Sequence, residues 1–473
     1  MSMMTKIFNS GYYWRVYLYA SILTLYIIFS VIQGAFYSQI HTDEFWYIYQ
    51  ARSVAENMSV FNHRLPLQSI IYGAFAKVFG GDILTLRMLS VSFFVMSIFT
   101  FLYYLIFIKK YSPNHLLWVL IVFCHPFLIE MAGTVTSYSI SIFFLTIFII
   151  LFEQGKFYQA LVPFLSFYLV RYIIDFSILV FPTAALFAKT HKIEYLKLSI
   201  IVLLVVSLLF FGGTYYKDTF LFNLGVSDFQ IDNGILNADT FARFIHLRKL
   251  EILSFFAFIP IGILLLLKLE FGKLLFSKNL LYLIFLFGGI AYYWLTINDY
   301  PITKLIFFPF IAILAAKLAD SNLISRLVLV LSLIGMLYTP SLIPKNQNVT
   351  HSRNICAFVS CDSTSVLSIN PIIASEFKSH IYAAPMELYS FAFDHQDQYE
   401  NLYSSDQFID LIQNKNPEII VVDSRLTSRK NMSLVFSDEK YNEILKLLKD
   451  KYRLDKSYFD SNFGEDFFIY VRI

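Results

Sequence analysis

Apolar residues run through the first 343 positions in long blocks, and short polar stretches separate them. Crossing a bilayer takes about twenty mostly apolar residues, and by that measure the blocks predict about eleven transmembrane helices. The first covers 16–36 and the second 84–108, closed by Lys109 and Lys110. Residues 115–132 and 136–152 follow, then a short polar turn over 153–156. From Phe157 to Ala188 the chain is apolar except at Arg171, Tyr172 and Asp175, so this stretch divides into two helices meeting at those charges. Helices over 198–212, 252–267, 280–297, 302–319 and 323–343 complete the set. Residues 65–79 are apolar and helical but short, which suits a helix lying on or dipping into the membrane surface.

Loop charge tests the arrangement. With Lys6 and Arg15 on the inner side, the inner loops hold Lys109/Lys110, Lys156, the cluster from Lys189 to Lys197, Lys268/Lys273/Lys278 and Lys317/Arg326. Every inner loop carries Lys or Arg, as the positive-inside rule requires. Loops 37–83 and 213–250, the break at Arg171–Asp175, the turn at Asn298–Pro301 and the C-terminal tail then face outward. From Pro344 onward the pattern becomes that of a soluble domain. Ile419–Val422 reads as a buried strand ending at Asp423, Asp438–Lys451 as an amphipathic helix, and Phe467–Val471 as a closing strand. The expected division is therefore a transmembrane catalytic domain over 1–343 and an extracytoplasmic α/β domain over 344–473.

Composition agrees with the pattern. The 473 residues are 57% hydrophobic and 15% charged, well short of the roughly one quarter charged that a soluble domain carries. The net charge of +3 gives nucleic acid no electrostatic footprint. The first apolar block is long enough to span and lacks a small-residue cleavage site, so no cleavable signal peptide is read. Cys124 lies in an apolar run; Cys356 and Cys361 fall in the tail, where an oxidising compartment would let them pair.

Candidate chemistry begins at His41-Thr42-Asp43-Glu44, just after the first apolar block. Two adjacent carboxylates at the edge of hydrocarbon are costly to place. They read either as a solvated pair capping the following helix or as a general base that takes a proton from an acceptor hydroxyl. His63 and Arg64 stand before Pro66 as snorkelling cations or as a phosphate clamp. Arg171 interrupts an apolar run, and either pairs with Asp175 one turn on or faces an anion. Lys304 and Arg87 open apolar blocks on the outer side, as interfacial anchors or site cations, and Tyr300-Pro301 precedes Lys304. Asp43, Glu44, Arg64, Arg171 and Lys304 all fall on the outer side in one orientation. That shared side points to a cavity for an anionic lipid and a hydroxyl acceptor. Neither motif gives a metal-binding cluster, so no metal and no cofactor are expected.

In order and spacing, Asp43-Glu44, Arg64-Leu65-Pro66-Leu67, Phe79-Gly80 and Arg87-Met88 resemble the motifs of the GT-C superfamily of membrane glycosyltransferases. The nearest branch is that of the protein O-mannosyltransferases and aminoarabinose transferases. Leu65 stands where those motifs have a first proline. The resemblance implies Asp43 as catalytic base, with Glu44 orienting it or the acceptor. It implies Arg64 on the lipid phosphate and, more weakly, Arg171, Lys304 and Tyr300 in the same cavity. It also implies a donor sugar on a polyprenyl (undecaprenyl) phosphate and an inverting transfer at the outer face of a bacterial inner membrane. The Phe/Ile/Lys/Tyr-rich, Gly/Ala-poor composition fits an AT-rich gene of the O-antigen type, which puts an envelope glycan first among acceptors, ahead of lipid A and protein hydroxyls. A transporter of lipid-linked glycans is the competing class; neither an internal repeat nor a broken mid-membrane helix is read in its favour.

Overall fold

The computed structural model describes residues 11–37, 42–57, 66–170, 174–212, 260–261, 278–295, 305–318, 323–342, 365–368, 380–382, 409–423, 438–460 and 465–473. The chain divides into two compact units. One comprises Met1–Ser38, Arg87–Gly212 and Gln230–Pro344; the other comprises Gln39–Leu86, Gly213–Phe229 and Lys345–Ile473.

The helical unit opens with α1, Gly11–Tyr37. Ile27, Val31 and Ala35 on one face are buried, while Leu25 and Phe29 opposite are 66% and 67% exposed. A helix that presents large apolar side chains outward on one face and packs on the other fits a lipid surround, not water. Next in the chain, and in the other unit, are α2, Thr42–Asn57, and α3, Pro66–Phe79. Then α4, Ile83–Tyr103, runs on as a π turn over Tyr104–Ile108. Trp14–Phe36 and Ile83–Ile108 are, among the described residues, the two helices long and apolar enough by themselves to cross a membrane.

The expected third span is broken. It forms α5, Pro113–Phe123, and α6, Pro126–Ala132, bent by 68°. The cause is local. Pro126 disfavours helical torsions at the residue before it, and His125 sits extended at φ −60, ψ 127. The expectation of unbroken helices is corrected at this point.

Shorter apolar helices follow: α7, Ser137–Glu153; α8, Phe157–Tyr168; α9, Ile174–Phe187; α10, Lys192–Gly212; α11, Asn279–Leu295; α12, Phe308–Leu318; and α13, Leu323–Leu342. The break between α8 and α9 falls where Arg171 was read as a divider, while Arg171 itself and most of the expected 252–267 span lie outside the described residues. Phenylalanines interlock the bundle. Phe148 meets Phe164 at 5.4 Å, Phe164 meets Phe181 at 4.9 Å, and Phe285 meets Phe310 at 4.7 Å between ring centroids. Tilted and offset pairs at such separations add about 1 kcal/mol each beyond the area they bury.

In the second unit, β1 (Val366–Ser368), β2 (His380–Tyr382), β3 (Ile419–Asp423), β4 (Tyr452–Asp460) and β5 (Glu465–Arg472) form one sheet in the order β2-β1-β3-β5-β4. The β1 pairings are parallel; β3–β5 and β5–β4 are antiparallel. Ile419–Val422 is buried on both faces because it is the central strand, as its unbroken apolar run requires. Helix α14, Asp438–Lys451, lays Ile444 and Leu448 against Leu367, Ile420 and Val422. Tyr452 closes this core, donating its hydroxyl to the Pro417 carbonyl at 2.9 Å. Cys124 is buried, and Cys356 and Cys361 lie outside the described residues.

Candidate functional site

Helix α2 begins at Thr42, which puts Asp43 and Glu44 in its first turn. The first turn of a helix has free backbone N–H groups and the positive end of the dipole, which favour acidic residues at such positions. Glu44 is fully buried. Asp43 has a described helix position and no described side chain.

Helix α3 packs closely on α2, and small residues permit it. A Cβ on Gly73 would stand 2.4 Å from the Val54 side chain and 3.2 Å from the Ala51 carbonyl. Ser69 donates its hydroxyl to Gln50 at 2.7 Å, and Arg52 donates to the Gly81 carbonyl at 2.8 Å. Gln50, Gln68 and Ser69 are all buried. Gln50 stands seven residues, about 10 Å of helix, beyond Asp43. Ser69 stands five residues after Arg64 in sequence. This polar seam between α2 and α3 escaped the sequence reading, because amides and hydroxyls stand out far less than charges against an apolar background. His63 and Arg64 lie outside the described residues, as do Arg171, Tyr300 and Lys304.

Arg87 is described, and it does something specific. It is buried at 3% exposure in the second turn of α4 and donates from Nη1 to the Ala35 carbonyl at 3.1 Å. Ala35 belongs to the last turn of α1, where carbonyls lack helical partners and the dipole is negative. The guanidinium therefore caps the helix that leads into the Asp43 loop, a positioning task.

The turn between α6 and α7 reaches the same place. A Cβ on Gly133 would lie 2.9 Å from the Ala35 nitrogen. Beside it, Thr134 donates to the Met131 carbonyl at 2.8 Å and Ser139 to the Ala132 carbonyl at 3.3 Å. Thr136 and Ser137 are buried with them. The run Thr134–Ser141, six hydroxyls in eight positions, is the signal that marks this patch in the sequence. His125 is buried with its ring edge-on to Phe308 at 5.4 Å, a packing role at the helix break. Among the described residues, no three of His, Cys, Asp and Glu gather as a metal site would need.

No family model matches the sequence, and no curated protein matches it. Comparison of structures does find a likeness. The crystal structure of ArnT from Cupriavidus metallidurans, bound to undecaprenyl phosphate, superposes with a TM-score of 0.62 at 10% identity. The alignment covers 97% of this chain and 98% of that one. At this identity the likeness is one of fold, and it extends over almost the whole of both chains.

Proposed function

We propose that this protein is a membrane glycosyltransferase that moves a sugar from a polyprenyl phosphate, undecaprenyl phosphate in bacteria, to a hydroxyl group. The observation that carries the reading is the near-complete fold likeness to a protein whose structure holds undecaprenyl phosphate. The acid pair opening α2 adds to it. Asp43 takes the proton of the acceptor hydroxyl. The freed oxygen attacks the anomeric carbon from the face opposite the lipid, the bond from that carbon to the phosphate oxygen breaks, and the configuration inverts. The electron pair leaves on the lipid phosphate, where Arg64, Arg171, Lys304 and His63 stabilise the charge. Glu44 fixes Asp43 or the acceptor, and Arg87 and Tyr300 shape the donor and acceptor cavity. The acid-bearing loop and the C-terminal domain face the periplasm of an inner membrane. The acceptor is an envelope glycan of the O-antigen type, with lipid A or a protein hydroxyl as alternatives inside the same chemistry.

The test is transfer from a synthetic polyprenyl-phosphate sugar by purified Asp43→Asn protein. The expected outcome is loss of product with thermal unfolding unchanged, and full transfer by the variant overturns the assignment of the base. Mass spectrometry of envelope glycans with and without the gene identifies the sugar. The break at His125 favours a second reading, since broken helices are a mark of transporters. Glycan movement across vesicles with no new glycosidic bond would select it.

A further inference from the structure

At the end of α4 remote from Arg87, five helix ends converge on one carboxylate. Glu153, the last residue of α7, accepts from Lys317 at 2.5 Å and from the Tyr282 hydroxyl at 2.8 Å. Lys317 also donates to Asn279 at 2.8 Å. Lys278 donates to the last carbonyls of α7, Phe152 at 2.8 Å and Glu153 at 3.1 Å. Its ammonium lies 5.2 Å from the Phe157 ring at the start of α8. Lys109, just past the π turn, stands 3.9 Å from the second Glu153 oxygen and remains 33% exposed.

Three ammonium groups therefore gather at Glu153, Lys317 and Lys109 on its carboxylate and Lys278 on its backbone carbonyl. Glu194, in the first turn of α10, is the further acid in the neighbouring helix ends among the described residues. Burial pushes the Lys278 ammonium below the ordinary lysine range; Glu153 pulls it back, and the like charges of Lys317 and Lys109 push it down again. The three ammonium groups around the one Glu153 carboxylate leave cations in excess there.

Position supplies the class of anion. Lys109 lies 22 residues along the chain from Arg87, roughly 33 Å of helix and about the thickness of a bilayer core. Phe107 and Ile108 on the π turn and Tyr158 and Val162 on α8 are exposed apolar side chains, and Lys110 and Lys156 are exposed at the same two helix ends. Each of these ends thus carries apolar side chains suited to acyl chains close in sequence to cations suited to phosphate.

We propose that Lys109, Lys278 and Lys317 around Glu153 bind the phosphate headgroup of an anionic phospholipid at the membrane surface remote from Arg87. Basic pockets between helix ends recognise headgroups in this way. The site is independent of the transfer chemistry proposed above. Glu153 holds Lys317 and Lys278 in place, while Lys109 supplies the accessible charge.

The test uses the full chain in nanodiscs of phosphatidylcholine alone or of phosphatidylcholine with phosphatidylglycerol. Thermal unfolding and native mass spectrometry of retained lipid are the readouts. Expected is a higher unfolding midpoint with phosphatidylglycerol and several-fold preferential retention of that lipid. Lys109→Gln should lose both effects, Lys109→Arg should keep them, and Lys197→Gln, which removes a charge from the start of α10, should change neither. Equal retention of the two lipids, an unaltered Lys109→Gln response, or loss in Lys109→Arg as well overturns the proposal. So does inorganic phosphate alone reproducing the whole shift, which would make the ligand a free anion.

Discussion

At the Arg87 end of α4, one buried guanidinium satisfies one helix-terminal carbonyl, that of Ala35. At the other end, past Ile108, the Glu153 carboxylate anchors Lys317, draws Lys109 and accepts from Tyr282, while the backbone carbonyl of Glu153 accepts from Lys278. Both arrangements fix helix ends, yet they differ in what surrounds them. The first sets a guanidinium against the partial charge of a helix terminus. The second gathers charges of both signs with cations in excess, so its integrity depends on Glu153 and its field reaches whatever lies at the membrane surface. An excess suits an end that meets lipid.

Glu153→Gln breaks this contrast most severely. Lys317 is 17% exposed at its side chain, and removing its counter-charge leaves a buried ammonium uncompensated. Such one-sided losses cost about 3–5 kcal/mol. The expected result is a large fall in the unfolding midpoint, partly restored when anionic lipid supplies the missing charge. Arg87→Met is the matching change at the other end. It orphans the Ala35 carbonyl and costs about 2 kcal/mol, with no dependence on lipid charge. Unfolding both variants with and without phosphatidylglycerol checks the pair, and equal lipid dependence would erase the distinction between the two ends.

The legible parts of the chain are those where cost is local. The apolar block 16–36 announces Gly11–Tyr37, and the unbroken apolar run at Ile419 announces a central strand. Asp43-Glu44 stands out because carboxylates at a hydrocarbon edge are expensive wherever the rest of the chain goes. The knot at Glu153 was not legible. Glu153 and Lys317 lie 164 positions apart, and each reads alone as an ordinary charge in a polar turn. The bend at His125 has its signal in Pro126, which the reading of the span by apolar length did not use. The strands at 366–368, 380–382 and 452–460 were missed because two are three residues long and Tyr452–Asp460 is largely polar. Such strands exist because neighbours pair with them, which no local pattern records.

The smallest expected effect concerns how α4 starts. Asp82 stands just before Ile83 and accepts from the Thr85 backbone N–H at 2.9 Å and from the Thr85 hydroxyl. Partial burial pushes its carboxyl up, but the Thr85 hydroxyl and the backbone N–H groups of Thr85 and Leu84 outweigh that and hold it below the ordinary carboxylate range. A carboxyl depressed in the folded state contributes stability that is present above its unfolded pKa, about 3.9, and is lost as pH falls through the lower folded value. Removing the cap as Asp82→Ala costs about 1 kcal/mol near neutrality. Asp82→Asn keeps a capping acceptor without the titration, so its loss near neutrality is smaller. Unfolding midpoints measured from pH 6 down to pH 3 should bring the native protein towards Asp82→Asn as the carboxylate is protonated. A constant gap between those two proteins across that range would show that the cap acts through shape alone, and that the start of α4, like its Arg87 turn, is set without a titrating charge.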